Sequence, residues 1–378
     1  MAENPFRFGA LALDDAFTDR EQELDELKRD LTNGQDVVLF APRRYGKSSL
    51  VWRLAQSLVR QKTLVAQVDL MTTPTREKLA AKLAKSIHDD LATPLFKAKE
   101  RLRVFQGLRV RPTVTVDPDD GSLTFGFSAD VAPADIAETL ERLFELPGVL
   151  AGERGRRIVL VLDEFQEVVA IDPDLPKLMR AVFQRQPEVA HVYLGSKRHL
   201  MERIFNDENE PFWRSAKKIE LGPIPAGPFE RFLVERFSMS GCTIEPDLAK
   251  VVVERTGGHP YATQELAYFL WEETPEGDVA TPATLDMAVS KVLRSEHAHF
   301  ALLWDRAARH QKQLLQALAV EPGRPLTREY ARRHGLPGSS TVQRALTSLE
   351  SQELVERRDG VAFINEPFLA DWIVVHGV

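Results

Sequence analysis

Eight consecutive residues, Ala41-Pro-Arg-Arg-Tyr-Gly46-Lys47-Ser48, have the types and spacing needed to hold a chain of phosphates. They fit the pattern G-x-x-x-x-G-K-[ST], with alanine at the first position. In such a loop, backbone N–H groups and the first turn of the following helix point at the anion. Gly46 lets the backbone come close. Lys47 is placed to reach the β- and γ-phosphates, and the Ser48 hydroxyl to hold Mg2+. Pro42, Arg43, Arg44, Tyr45 and Ser49 complete the candidate nucleotide contacts.

A second run, Ile158-Val-Leu-Val-Leu-Asp163-Glu164-Phe165, is apolar until it ends in two carboxylates. At the C-terminal edge of a strand beside a phosphate loop, an Asp holds Mg2+ through water and the next Glu polarises an attacking water. Acidic strand ends are common, so the meaning comes from the pairing with the loop. Asp163 is therefore the candidate metal ligand and Glu164 the candidate base. A third strand-like run, Val192-Tyr-Leu-Gly195-Ser196, ends in a small hydroxyl that can reach a γ-phosphate or the water. Lys197, Arg198, Arg203 and Arg214 follow. Any of these arginines can offset charge on a transferring phosphate, and each also reads as an ordinary surface arginine.

These residues need a scaffold. Phe17 to Leu31 has leucines at helical spacing, with Thr18 or Asp19 as the expected cap. Asp36–Phe40 reads as a buried strand, Gly46–Leu58 as a helix, Thr63–Asp69 as a strand and Thr75–Leu91 as a helix. Arg111–Val116 and Ser122–Phe127 alternate around a turn cluster at Asp117–Gly121, predicting a surface β-hairpin inserted near 104–128. A helix over 134–146, a strand over 157–163, a helix over 175–186 and a strand over 190–195 complete the series. Strands that alternate with helices and are continuously apolar predict a parallel sheet covered on both faces. After Leu221-Gly-Pro-Ile-Pro225 the strands stop and helices take over, broken by Gly257-Gly-His-Pro260.

The composition allows this. The 378 residues are 43% hydrophobic and 28% charged, enough for two or three ordinary globular domains. Lys+Arg 49 against Asp+Glu 56 gives a net charge of −7, which excludes a dedicated nucleic-acid coat. One cysteine, Cys242, cannot close an internal disulfide. No apolar run approaches the ~18–20 residues of a membrane helix. MAENPFRFGA lacks the basic start and apolar core of a secretory signal, so the cytoplasm is the expected location. His297 and His299 are two apart, but without Cys or acidic partners at ligand spacing they read as a solvated helix.

Taken in order, the motifs resemble the AAA+-related STAND ATPases, in the archaeal-ATPase (MNS) branch. The resemblance spans nearly the whole chain. It rests on Asn4-Pro-Phe-x-Phe8-Gly9, Phe17-Thr-Asp-Arg20-x-x-Glu23-Leu24, Ala41–Ser48, Leu162-Asp-Glu-Phe-Gln166, Gly195-Ser196, Pro211-Phe-Trp-Arg214 and Gly257-Gly-His-Pro-Tyr261. It implies an α/β P-loop core over 1–225, a helical lid over 226–296 and a C-terminal domain over 297–378. It implies that Phe17 and Arg20 border the adenine and that His259 and Pro260 close over the base and ribose. Arg214 takes the place of the arginine finger, although Phe212-Trp213 replaces the family's Leu-x-Gly.

The last segment reads as a winged helix-turn-helix. It has a helix over 311–318, a short helix over 328–334 capped by Thr327, a helix over 341–349, and a wing hairpin over 353–364. Such a domain invites a DNA-binding reading. From 305 to 378, however, ten basic residues face nine acidic ones, and the third helix offers one arginine, Arg344. Phosphate contacts dominate DNA affinity, so the charge does not favour it. Three readings stay open: a slowly hydrolysing ATP/ADP switch, an ATP-responsive DNA-binding regulator, and a nucleotide-locked scaffold. ATP and Mg2+ are the expected ligands. The expected partners are a second copy, if a finger acts in trans, and a protein not readable from the sequence, with no membrane.

Overall fold

The computed structural model describes residues 3–9, 17–91, 105–117, 122–128 and 132–377. The chain divides into two compact units. One comprises Arg20–Arg43 and Leu50–Leu221. The other comprises Met1–Asp19, Arg44–Ser49 and Gly222–Val378.

The first unit is built on a five-stranded sheet of β1 (Val37–Phe40), β2 (Leu64–Asp69), β5 (Ile158–Asp163), β6 (Val189–Gly195) and β7 (Lys217–Glu220). Its order is β2-β5-β6-β1-β7, and every neighbouring pair is parallel. β1, β6 and all of β5 but its final Asp163 are buried throughout, as expected for strands covered on both faces. Helices Arg76–Ser86, Pro133–Arg154 and Leu175–Phe183 contribute Leu79, Leu83, Leu140, Phe144, Met179 and Val182 to this core.

Several elements differ from the expectation. The first helix begins at Glu21, and its cap position is Arg20, in left-handed backbone with no side-chain cap bond, not Thr18 or Asp19. The helix after β2 ends at Ser86 and widens into a π turn over Ile87–Leu91, where Asp90 accepts the Gln67 N–H at the edge of β2. The helix expected to stop at 146 runs through Pro147 to Arg154. The hairpin is present as β3 (Thr113–Val116) and β4 (Leu123–Gly126), antiparallel and anchored by Phe125 against Phe105 and His88. Its turn residues 118–121 lie outside the described residues.

The second unit has its own continuous core, running from Phe6 and Phe229 through Leu266 and Val292 to Leu346 and Trp372. Helices Ala226–Met239, Pro246–Thr256, Pro260–Glu272 and Pro282–Ser295 form its first part. Helices Arg309–Val320, Arg328–Arg333 and Ser339–Ser351, strands β8 (Val355–Arg358) and β9 (Val361–Ile364), and helix Pro367–His376 form a winged helix. No helix among the described residues is long and apolar enough to cross a membrane.

Candidate nucleotide site

Parallel strands end on the same side of a sheet, so the exits of β1, β5 and β6 share one edge. The register aligns Phe40 with Gly195 and Leu162 with Tyr193. Ala41, Ser196, Asp163 and Glu164 therefore follow one another along that edge, with β6 between the loop strand and the acidic strand. Ala41 is tied there by its N–H to the Gly195 carbonyl, 3.2 Å.

The end of β5 is bent sharply. Glu164 adopts left-handed backbone, φ 52 and ψ 48, uncommon for a residue with a Cβ and typical of functional sites. What holds it there is packing. Phe165 is fully buried and meets Tyr193, Phe205 and Phe212 at centroid distances of 4.7, 5.7 and 5.3 Å. That explains Phe212 of the Pro211–Arg214 run, which is a core anchor beneath the acidic turn. The Glu164 N–H donates to Asp163 Oδ1 at 2.9 Å, orienting that carboxylate. The Ser196 hydroxyl donates to Glu164 Oε2 at 2.8 Å, and the Gln166 side-chain amide donates to the same oxygen. Ser196 was expected on the γ-phosphate or the water; here it holds the candidate base.

In the loop, Ala41, Tyr45, Lys47 and Ser49 are buried, Pro42, Arg44 and Gly46 are half-buried, and Arg43 and Ser48 are exposed. Lys47 opens the helix Lys47–Arg60. Arg44 and Gly46 have φ of +66 and +81. Alternating hand along a turn is the condition under which successive N–H groups curl round an anion.

The loop apex belongs to the second unit, where its side chains meet His259, a predicted site residue, and Glu366, which sequence reasoning missed. Arg44 Nη1 lies 3.2 Å from Glu366 Oε1, just before the last helix, and its guanidinium sits 4.2 Å from the Tyr261 ring centre. The Tyr261 hydroxyl donates to Glu296 at 3.3 Å, and Glu296 shares a hydrogen bond with Glu265. The Arg358 guanidinium of the wing, which donates to Glu356, also faces the Tyr45 hydroxyl and opposes the rise in its pKa that burial causes. Tyr45 meets His259 edge-on at 4.6 Å. His259 caps helix Pro260–Glu272, its Nδ1 accepting the Ala262 N–H, with Pro260 at the first helical position. Burial, with the Arg44 charge, lowers its pKa to about 4, so the ring is neutral. Gly258, φ +70, has no room for a Cβ, which would strike the Ile224 carbonyl. No signal in the sequence links Arg44 to acids more than 200 residues away.

Glu265 is almost fully buried, and its Oε1 has no hydrogen-bond partner. Burial and the neighbouring Glu296 push its pKa up to about 8. The folded state thus binds this proton more tightly than the unfolded chain, whose carboxyl titrates near 4.5. Its contribution to stability is complete below pH 4.5 and is lost as pH rises towards 8. Glu366 is raised by burial and acts with the same sign. Glu265→Gln is expected to raise the thermal midpoint at pH 8 by roughly 2–5 °C and to change it little at pH 5. Differential scanning across that range checks it; parallel wild-type and variant curves would refute it.

The remaining predicted residues are more dispersed. Phe17 is half-buried. Arg20 is buried, φ 101, and pairs with Glu23 at 2.8 Å. Arg214 is exposed, φ 49, with its guanidinium 5.0 Å from the neighbouring Trp213 ring. On the winged helix, Arg333 pairs with Glu321 and Glu329, Arg357 with Glu350, and Arg358 with Glu356.

A phosphate loop at the end of a central parallel strand, with an acidic strand end on the same sheet edge, defines a P-loop nucleotide-binding protein. Residues 17–266, about two thirds of the chain, match the family described as "ATPase domain predominantly from Archaea", and the chain belongs to it. Residues 298–375 match a "Probable winged helix domain". Among solved structures, the Walker-type ATPase of Pyrococcus abyssi is similar over 96% of this chain and 97% of that one, at 18% identity and TM-score 0.67. The Aeropyrum pernix ORC2 protein in its ADP form is similar over 98% and 97%, at 14% identity and TM-score 0.51. These likenesses concern the fold. No curated protein matches the chain.

Proposed function

We propose that this protein binds Mg-ATP on the loop Ala41–Ser49 and hydrolyses it slowly, as a nucleotide switch of the STAND kind among AAA+-related ATPases. The observation that carries the reading is the bent end of β5, where Glu164 is held in left-handed backbone by a buried Phe165 and its carboxylate is held by Ser196. Backbone strain kept at a strand end beside a phosphate loop is consistent with a reacting group. Lys47 and the loop N–H groups bind the β- and γ-phosphates. Ser48 and Asp163 each offer oxygen donors, the kind that suits Mg2+, and are the residues that would hold it. When bound, the ion neutralises charge on the phosphate oxygens. Glu164 accepts a proton from water as the water oxygen bonds to the γ-phosphorus and the bond to the ADP oxygen breaks.

The switch part rests on Arg44 and Tyr45. Both belong to the loop, and both are held by winged-helix residues, Glu366 and Arg358. A polyphosphate entering the loop competes for Arg44, so nucleotide state biases how the winged helix and the helical segment 226–296 are held. Phe17, Arg20, His259 and Pro260 are proposed to border the base and ribose. Arg214, exposed on Trp213, is the proposed finger towards a second copy. DNA is left out of the proposed partners, because Arg333 at the end of helix Arg328–Arg333 and the wing residues Arg357 and Arg358 already pair with carboxylates of their own domain.

The test is calorimetry with Mg-ATP and Mg-ADP, with phosphate release in parallel, after assaying denatured protein for retained nucleotide. Saturable binding and phosphate release are expected. No heat, no release and no retained nucleotide would sink the reading.

A further inference from the structure

The turn after β5 places a second side chain against Glu164 that the phosphate-loop reading does not use. Asp163 ends the strand, Glu164 is left-handed, and a 3-10 turn follows over Phe165–Glu167. That turn sends Phe165 down into the aromatic core and brings the side chain of Gln166 back beneath Glu164. Gln166 is 3% exposed. Its Nε2 donates to Glu164 Oε2, the same oxygen that takes the Ser196 hydroxyl. Its Oε1 is buried with no hydrogen-bond partner, in the crowded space beside Gly195 and Met201.

Burying an amide with an unsatisfied carbonyl costs stability, and an apolar side chain would fill the same space without that cost. The cost is offset only by what the NH2 group does, and it bonds a carboxylate. The orientation of the amide follows from charge, since its oxygen cannot face a carboxylate oxygen at hydrogen-bond distance. Two donors converging on one oxygen, one from the turn itself and one from the end of β6, restrain rotation of the carboxylate about its last side-chain bond. A base on a strained turn needs that restraint, because misplacement by about 1 Å costs roughly 100-fold in rate.

We propose that Gln166 is the positioning residue for Glu164, fixing its carboxylate towards the attacking water without touching nucleotide. The proposal rests on the reading of Glu164 as the base. Gln166→Met keeps the length and removes the donor. It is expected to lower kcat roughly 10- to 100-fold while KM and ATP affinity stay within about twofold. In the Glu164→Gln background the same change is expected to cost nothing further, because a group acting through Glu164 has nothing left to position. Gln166→Ala, free of any steric conflict with Met201, should behave alike. The proposal is overturned by wild-type kcat in both Gln166 variants. It is also overturned by a rise in KM at constant kcat, or by an equal loss in the Glu164→Gln background. If Glu164→Gln abolishes turnover while both Gln166 variants keep it, the positioning role alone fails. If the wild type has no turnover, or Glu164→Gln does not change it, the base reading fails and Gln166 falls with it.

Discussion

Lys47→Ala is expected to weaken Mg-ATP binding by at least ~30-fold and to remove turnover with it. Lys47 is the first residue of the helix Lys47–Arg60 and is buried. Its side chain is largely packed in the folded protein before any nucleotide arrives, so part of the ordering cost of the ion pair is already met by folding. A helix N-terminus favours an anion, so a lysine at the first helical position adds a full charge to a partial one. Truncating one partner of a buried, hydrogen-bonded charge pair costs about 2–5 kcal/mol, which is roughly 30- to 4,000-fold in affinity. Lys47→Met keeps the stem and separates charge from packing. Calorimetry on both variants decides the matter. A dissociation constant within threefold of wild type would place the phosphates elsewhere.

The elements that position this lysine were legible because their signals are local. β1, β5 and β6 are continuous apolar runs ending at small or acidic residues, and a buried parallel strand cannot look otherwise. β7 was not legible. Lys217-Lys-Ile-Glu220 carries one buried residue, Ile219, and gains its strand character from pairing with β1 and from the Lys217 ion pairs to Glu26 and Asp30. The last helix, Pro367–His376, was missed for a different reason. It is apolar on nearly every side, so it shows no face, and it buries Phe368, Leu369, Trp372 and Ile373. The helix expected over 134–146 continues past Pro147, because Leu143, Phe144, Leu150 and Ala151 are buried on both sides of that proline.

The site divides along the same line. Ala41–Ser48, Asp163, Glu164 and Ser196 were readable because each sits at the exit of a strand whose pattern is plain. The partners of Arg44 and Tyr45 were not, because Glu366 lies 322 positions from Arg44 and the wing hairpin that carries Arg358 says nothing about where it packs. Gln166 was quoted only as the end of a motif. Its chemistry depends on the left-handed turn at Glu164, and that turn depends on Phe212, almost fifty residues on. Short-range pattern shows which groups are candidates for chemistry. Long-range packing decides which groups hold them still.

Glu164→Gln separates a hydrolysing switch from a locked scaffold. Phosphate release is expected to fall by roughly 100- to 10,000-fold while Mg-ATP binding is retained. The change is isosteric and removes only the capacity to take a proton. The Ser196 hydroxyl and the Gln166 amide can still donate to the side-chain oxygen of the new glutamine, so the bent turn and its Phe165 anchor have no reason to relax. If Glu164 acts on the γ-phosphate, a neutral side chain there also relieves like-charge repulsion, so affinity for ATP should hold or improve. The pair of readouts matters more than either alone. Binding lost together with turnover would mean that Glu164 supports the fold of the sheet edge. Binding kept and turnover unchanged would move the base elsewhere. Only retained binding with lost turnover fits a carboxylate whose strained backbone and two converging donors serve proton transfer.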